Sequence, residues 1–248
     1  MRYGWRGVGL PDQRDNRFAY RNTFKSVMVP QVKYLICGPV VDQGDIGSCV
    51  FFSLVAHMVA TAVQNDIAIS EIPNLSQLFA YYRYRAEYGD VLWDDGAFIR
   101  DAIKIMAKGV CLEDCWPYVI KNFPNKPPAS CYQEAEKHKI LSYHALYTIE
   151  DMLQCMASGY GFVGGISVYE SFDSLMTEKT GVVEIPRPNE KLLGGHALYF
   201  GGGYNLHWGM IKFQNSWGEG WGDKGFGWIP IEYLTNPGLA GSFFTIRR

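Results

Sequence analysis

The stretch Gln43-Gly44-Asp45-Ile46-Gly47-Ser48-Cys49 is a polar, glycine-containing loop that leads directly into the apolar segment CVFFSLVAHMVATAVQ, residues 49–64. This segment is apolar on nearly every helical face, which predicts a helix buried through the middle of the protein. Cys49 therefore opens a buried helix, where the partial positive charge of unpaired N–H groups favours a thiolate. A cysteine is usually a buried structural thiol, so the interpretation of Cys49 depends on the rest of the chain.

Helical patterns dominate the first half of the chain and strand patterns the second. Helices are predicted at residues 49–64, 75–88, 96–108 and 149–158, with Asn74 and Thr148 as N-caps. Short apolar or alternating segments separated by Gly, Pro and Asn predict strands at residues 161–168, 181–185, 196–200, 210–213 and 226–229. Such segregation predicts an α+β architecture and not an alternating parallel sheet.

Composition and charge exclude several classes of protein. The chain has 248 residues, of which 48% are apolar and 19% charged, which is typical of one folded domain or two tightly packed halves. Its net charge of −2, from 23 basic and 25 acidic side chains, argues against a nucleic-acid partner. No apolar run reaches the roughly 18–20 residues that cross a bilayer. We therefore expect a monomer with no membrane span.

The N-terminus and the cysteines bear on the compartment. The opening sequence MRYGWRGVGLPDQRDNRF has no apolar core of a secretory signal, which predicts a cytoplasmic protein or one exported by a signal-independent route. The density of cysteines is below that of a disulfide scaffold, so most are expected to be free thiols. Cys111 and Cys115 lack the spacing of a zinc pair, and no metal or cofactor is predicted. The six cysteines are Cys37, Cys49, Cys111, Cys115, Cys131 and Cys155.

Four polar residues form a candidate catalytic set, namely Gln43, Cys49, His196 and Asn215. A neighbouring imidazolium would lower the pKa of a thiol and give a thiolate–imidazolium pair. A histidine in acid–base chemistry needs a third group to hold its ring, and an Asn amide can do so. The Gln43 side chain and the Cys49 backbone N–H are candidate donors to the oxyanion of acyl transfer. Trp217 is expected to roof the His196–Asn215 hydrogen bond.

Three motifs resemble those of papain-like cysteine peptidases. Residues 43–49 look like the nucleophile motif of that family, and Gly195-His196-Ala197 is similar to its histidine motif. The sequence Asn215-Ser216-Trp217-Gly218-Glu219-Gly220-Trp221-Gly222 is close to the family signature Asn-Ser-Trp-Gly-x-x-Trp-Gly. The order Gln, Cys, His, Asn is also that of the family, and the motifs extend over residues 43 to 229.

The resemblance implies a fold and a reaction. It implies a papain-like domain at residues 37–248, with a helical left subdomain mainly at 43–115 and an antiparallel β-barrel-like right subdomain mainly at 140–235. The active-site cleft would lie between them. It also implies that peptide or protein substrates are hydrolysed through a thioester acyl-enzyme. The substrate-binding residues it implies are Asp95, Gly96, Ala97, Gly195 and Trp217, with Gly96 as the main-chain partner. The pocket for the second substrate residue before the scissile bond (P2) would draw on Ala97, the stretch near Gly165-Ile166 and residues 234–239.

Several positions depart from the family pattern. Many relatives carry a cysteine three residues before the nucleophile, paired with one just before a Gly pair, whereas this chain has Ile46 and, at the second place, Trp93 or Asp94. Val50 replaces a common aromatic residue, and Ala97 replaces the second Gly of the pair. None of these changes removes a catalytic group, so they affect the expected specificity and pH profile only.

Residues 1–36 form a separate polar arm, for which two roles are open. The first is a short prosegment that lies over the cleft, which would make the protein a zymogen. The second is a structural strap around the right half. The function also has alternatives to an endopeptidase, because an amidase, a deamidase or a transglutaminase-type enzyme would use the same catalytic site. A catalytically silent binding module is the third possibility.

Overall fold

The computed structural model of the chain describes residues 2–10, 12, 15 and 28–248. Seven α-helices are present in this described part: α1 (Cys49–Gln64), α2 (Gln77–Tyr88), α3 (Ile99–Ala107), α4 (Ala129–Ala135), α5 (Ile149–Ala157), α6 (Leu175–Thr180) and α7 (Ile231–Thr235). Its seven strands are β1 (Val32–Tyr34), β2 (Ser142–Ala145), β3 (Phe162–Tyr169), β4 (Leu192–Asn205), β5 (Met210–Gln214), β6 (Phe226–Pro230) and β7 (Ala240–Arg247). The rest of the predicted arm, at residues 1, 11, 13, 14 and 16–27, lies outside the described residues.

The described strands form one antiparallel sheet, and β2 to β7 all come after α4 in the chain, which confirms the α+β prediction. The order is β2-β7-β3-β4-β5-β6, and β1 pairs with β4. Among the described strands this path does not close on itself. The right half is therefore an open sheet and not a closed barrel. β1 shows that the end of the predicted arm belongs to the sheet.

Helix α1 is the buried helix that the sequence predicts, with the same bounds. It contacts β4 on one side and α2 and α3 on the other. Its side chains Phe51 and Leu54 are fully buried. His57 is also fully buried and stacks on Tyr199 with ring centroids 5.2 Å apart. The helix thus joins the two halves and holds Cys49 at their boundary.

The register of the sheet places the histidine motif in its centre. In the β3–β4 pair, Ile166 lies opposite His196 and Gly165 opposite Ala197. The strand predicted at 196–200 is longer in the structure, because the glycines at 201–203 continue β4. A Cβ on Gly203 would overlap the backbone of Lys33 in β1, so close packing of two strands explains the glycine there.

Other differences from the predicted elements have local causes. The N-cap of α2 is Ser76 and not Asn74, since the Ser76 hydroxyl accepts the Phe79 N–H at 3.1 Å. The third helix starts at Ile99 because Gly96 has φ +72° and Ala97 pairs as an isolated bridge with Trp5. The capping box of Thr148 and Asp151 at α5 is confirmed.

The predicted strand at 181–185 contains only a single bridge, between Val182 and Trp228. Strands β2 and β7 were not predicted from the sequence, although they pair with each other over four residues. Within the part of the chain that the structure describes, no helix combines the length and the apolar character needed to cross a membrane.

Candidate active site

Cys49 is the first residue of α1 and lies against β4. Its side chain is fully buried, and the Ala197 N–H donates to its Sγ at 3.4 Å. Residues 43–48, which we call the nucleophile loop, precede it. In this loop the Ser48 hydroxyl bonds to Tyr118 Oη at 2.6 Å. The thiol of α1 and the histidine motif of β4 are thereby brought into contact across the two halves.

His196 is held by Asn215, as the sequence predicts. The distance from His196 Nε2 to Asn215 Oδ1 is 2.8 Å, and the same oxygen accepts the Ser216 N–H at 2.8 Å. Because an amide oxygen only accepts, His196 Nε2 carries the proton. His196 Nδ1 is buried and has no hydrogen-bond partner among the described residues. The neutral ring therefore keeps Nδ1 available as a base.

Two aromatic rings enclose this hydrogen-bonded pair. The ring centroid of Trp217 lies 4.8 Å from that of His196. Phe172 approaches His196 edge-on with centroids 6.3 Å apart. An apolar cover of this kind keeps water from competing for the hydrogen bond. Trp217 thus lies where the sequence analysis expects a roof.

The Gln43 side chain has a fixed orientation. Its Oε1 accepts the Ser216 hydroxyl at 2.6 Å, and its Nε2 donates to the Ile46 carbonyl at 2.8 Å. The same Nε2 donates to the carbonyl of Arg2 at 3.1 Å. A carbonyl oxygen of the N-terminal arm therefore accepts a hydrogen bond from one of the two predicted oxyanion donors.

The backbone of residues 2–6 passes directly over Cys49. The backbone of Gly4 lies close enough to Cys49 to lower the pKa of its thiol. On one side, Trp5 N–H donates to the Gly195 carbonyl at 2.9 Å. On the other, the Ala97 N–H donates to Gly4 O at 2.6 Å and the Arg6 N–H to Ala97 O at 3.1 Å. The arm thus uses main-chain groups of both halves.

The side chains of the arm fill the space on both sides of the thiol. The Arg2 guanidinium lies 4.5 Å from the Trp217 ring centroid. The indole of Trp5 packs against Gly165 and Gly195, where added Cβ atoms would collide with it. Gly4 lies in a narrow gap, since a Cβ on it would overlap the Gly47 carbonyl.

Burial shifts the pKa values of both Cys49 and His196. Desolvation raises the pKa of Cys49 to about 11, although backbone hydrogen bonds from Ala197, Gly4 and Val50 oppose the change. Desolvation lowers the pKa of His196 to about 4, against the effect of Asn215. Both groups are therefore neutral at physiological pH while residues 2–6 cover them. This covered state differs from the expected thiolate–imidazolium pair, because the exclusion of water disfavours the charged form of both groups.

The predicted substrate-binding residues do not all contact the arm. Ala97 and Gly195 supply the main-chain groups described above, so Ala97 and not Gly96 pairs with the arm. Gly96 instead donates its N–H to Tyr81 Oη at 3.0 Å. Asp95 is exposed. Trp217 also contacts the arm, through the guanidinium of Arg2.

Sequence reasoning missed several residues that support the site. Ser216 orients Gln43, and Tyr118 donates its hydroxyl to the Gln43 carbonyl at 2.8 Å. Asp94 accepts the Gly47 N–H at 2.9 Å. Ser216 was detectable, since it belongs to the Asn-Ser-Trp-Gly motif, whereas Tyr118 and Asp94 are distant in sequence and carry no local signal.

No cluster of three or more His, Cys, Asp or Glu side chains with metal-binding geometry is found among the residues that the structure describes. All six cysteines are free thiols, and Cys115 is exposed.

Comparison with known proteins identifies the family. The family model described as papain family cysteine protease matches residues 29–240. An uncharacterised peptidase C1-like protein of Acanthamoeba polyphaga mimivirus is 34% identical over 217 residues, which are 84% of this chain and 69% of the viral protein.

Solved structures agree with this match. Xylellain, a cysteine protease from Xylella fastidiosa, has a TM-score of 0.88 at 33% identity, with 99% of this chain and 96% of xylellain covered. A digestive procathepsin L 3 of Tenebrio molitor shares the fold, with a TM-score of 0.73 at 16% identity over 98% of this chain and 76% of its own. Family model, viral relative and bacterial structure together show that the chain belongs to the papain family of cysteine proteases.

Proposed function

We propose that the protein is a cysteine endopeptidase in which Cys49 is the nucleophile, His196 the acid–base residue, Asn215 its orienting partner and Gln43 an oxyanion donor. The observation that carries the proposal is the position of the arm. A peptide carbonyl, that of Arg2, already accepts a hydrogen bond from Gln43 Nε2, while the next residues contact the Cys49 thiol. A site that holds a peptide in this way is suited to a peptide substrate.

The reaction follows from these positions. His196 Nδ1 takes the proton of the Cys49 thiol, and Sγ attacks the carbonyl carbon of the scissile bond. The oxyanion that forms is stabilised by the Cys49 backbone N–H and by Gln43 Nε2. His196 then gives the proton to the leaving amine, which leaves a thioester. Water, deprotonated by His196, hydrolyses the thioester and releases Cys49.

The endopeptidase assignment rests on the path of the arm through the site. Main chain continues on both sides of the thiol, towards Trp217 at Arg2 and towards Ala97 at Arg6. Extended chains therefore fit without ending at Cys49. An exopeptidase would instead need a feature that recognises a chain terminus near the scissile bond.

The arm itself is proposed to be an inhibitory prosegment. Its backbone hydrogen bonds engage the thiol, one oxyanion donor and both main-chain walls. A substrate needs the same groups, so the two are mutually exclusive. A structural strap would have no need to contact Cys49 or Gln43.

The test of the function is mass spectrometry of a peptide mixture incubated with the full-length protein and with its Cys49→Ala variant. The Gly4→Ala variant, which is expected to displace the arm, is measured in parallel. New peptide termini that depend on Cys49 support a peptidase. Intact backbones with converted or cross-linked side chains indicate an amidase, deamidase or transglutaminase. No Cys49-dependent change in either background indicates a silent binding module.

A further inference from the structure

The Asp94 carboxylate lies beside the nucleophile loop and bonds to two partners. Gly47 donates its backbone N–H to both carboxylate oxygens, at 2.9 Å and 3.0 Å. Tyr81 donates its hydroxyl to Asp94 Oδ1 at 2.6 Å. Hydrogen bonds to an ionised group are about twice as strong as neutral ones. Asp94 therefore ties the loop that precedes Cys49 to helix α2.

Tyr81 continues this connection to the other side of the cleft. Its side chain is fully buried, and its oxygen accepts the Gly96 N–H at 3.0 Å. A chain of hydrogen bonds thus runs from Gly47 through Asp94 and Tyr81 to Gly96. All six cysteines are free thiols, so no disulfide shares this role.

The two ends of the chain border a narrow slot. A Cβ on Gly47 would lie 3.6 Å from Gly96 Cα and 3.2 Å from Gly4 Cα. A Cβ on Gly96, which has φ +72°, would overlap the backbone of Gly4. Only extended main chain fits between these glycines. The separation of Gly47 and Gly96 therefore decides how a peptide lies against the Cys49 thiol.

We propose that Asp94 and Tyr81 are positioning residues that set the width of the slot between Gly47 and Gly96, and with it the placement of the substrate backbone at Cys49. The proposal rests on the proposed peptidase function and deepens it. Neither side chain touches the reacting atoms. They act through Gly47 and Gly96. Replacing either side chain is therefore expected to weaken substrate binding and to misplace the substrate backbone.

The charge of Asp94 acts against its geometric role. It raises the pKa of Cys49, because a negative charge disfavours a second one nearby. Other titratable groups around the site include Tyr118, which faces Cys49, and Arg2, which faces His196. Arg85 lies 4.7 Å from the Tyr81 ring centroid. A variant without the charge but with the hydrogen bonds is therefore expected to bind substrate normally and to form the thiolate more easily.

The test uses Asp94→Asn, Asp94→Ala, Tyr81→Phe and the pair Asp94→Ala/Tyr81→Phe in the full-length chain that carries Gly4→Ala, with kcat and KM measured separately. Asp94→Ala and Tyr81→Phe are expected to raise KM at least tenfold, and the double variant to be no worse than Asp94→Ala. Asp94→Asn is expected to keep KM within about threefold, since Oδ1 still accepts from Gly47 and Tyr81 and only the second bond of the Gly47 N–H is lost. Its acid limb of kcat/KM is expected to move to lower pH.

Tyr84→Phe is the matched control. Tyr84 is also a buried tyrosine of α2, and its hydroxyl accepts the Phe98 N–H at 3.1 Å without a bond to Asp94. Its effect is expected to add to that of Asp94→Ala. Additive effects of Tyr81→Phe and Asp94→Ala, or an unchanged KM in Asp94→Ala, would overturn the proposal.

Two further measurements separate the possible failures. Thermal unfolding midpoints show whether Asp94→Ala folds, and Asp94→Asn and Tyr81→Phe keep the proposal testable if it does not. The rate of Cys49 alkylation reports on the thiol without turnover. If peptides are not cleaved in any background, the peptidase assignment fails. If they are cleaved equally by all the variants, only the positioning role fails.

Discussion

The indole of Trp5 lies against Gly165, where any Cβ would overlap the ring. Trp5 also pairs with Ala97, from which the P2 pocket is predicted to be built together with the stretch near Gly165, so this pocket is where the P2 side chain of a substrate is expected. In the chain that carries Gly4→Ala, so that the arm is displaced in both proteins, Gly165→Ala is therefore expected to lower kcat/KM for P2-Trp and P2-Phe peptides at least tenfold, and to leave a P2-Ala peptide nearly unchanged. The effect is measured as the ratio of kcat/KM for an aromatic P2 peptide to kcat/KM for the P2-Ala peptide, compared between the two proteins.

Gly220→Ala is the control for this substitution, since a Cβ there meets nothing within 4 Å.

The pocket is also expected to distinguish among aromatic P2 side chains. Trp5 Nε1 is buried without a hydrogen-bond partner among the described residues, which costs about 1–3 kcal/mol. A P2 naphthylalanine is therefore expected to be cleaved faster than a P2 tryptophan. An equal loss for aromatic and small P2 residues in Gly165→Ala would contradict the assignment of the pocket.

The prosegment hypothesis predicts activation by a single methyl group. A Cβ on Gly4 would overlap the Gly47 carbonyl, so Gly4→Ala is expected to displace the arm and to raise kcat/KM at least tenfold. In Gly9→Ala the added Cβ lies at an ordinary 3.4 Å from the Arg100 side chain, and no activation is expected. Initial rates with a fluorogenic peptide decide between the two variants. Equal rates for Gly4→Ala and wild type would favour a structural strap.

Displacement of the arm is also expected to change the pH dependence of the thiol. The pKa of Cys49 is raised to about 11 by burial, and only the thiolate is alkylated rapidly. In the wild type, alkylation by iodoacetamide should therefore become fast only at strongly alkaline pH. In Gly4→Ala, water reaches the thiol, the pKa falls, and the midpoint of the rate profile moves to lower pH.

This experiment needs a background that lacks other reactive thiols. Cys115 is exposed, so both proteins carry Cys115→Ser, and mass spectrometry of the Cys49 peptide identifies the alkylated site. Identical midpoints in the two proteins would show that the arm does not control the ionisation of Cys49.

The parts of the fold and of the site that the sequence predicts are those that depend on residues close together in the chain. Cys49 and α1 were predicted because an apolar run and a glycine loop are adjacent in the chain. Asn215 was predicted from a compact motif. The pairing of β2 with β7 joins residues about 100 positions apart, and neither strand alternates strongly enough to be seen alone. Asp94 was missed for the same reason, since its partner Gly47 is 47 residues away.

Ser216 provides the last prediction, because its hydroxyl fixes the amide of Gln43 at 2.6 Å. Without this bond the amide is held only through Nε2, which donates to the Ile46 carbonyl at 2.8 Å, so Nε2 points less steadily at the oxyanion. Ser216→Ala is therefore expected to lower kcat about threefold to tenfold with little change in KM, less than the roughly 10²–10³ expected for Gln43→Ala. The double variant should be no slower than Gln43→Ala, because Ser216 acts only through Gln43. Steady-state kinetics of the three variants test this order, and a double variant much slower than Gln43→Ala would mean that Ser216 has a separate role.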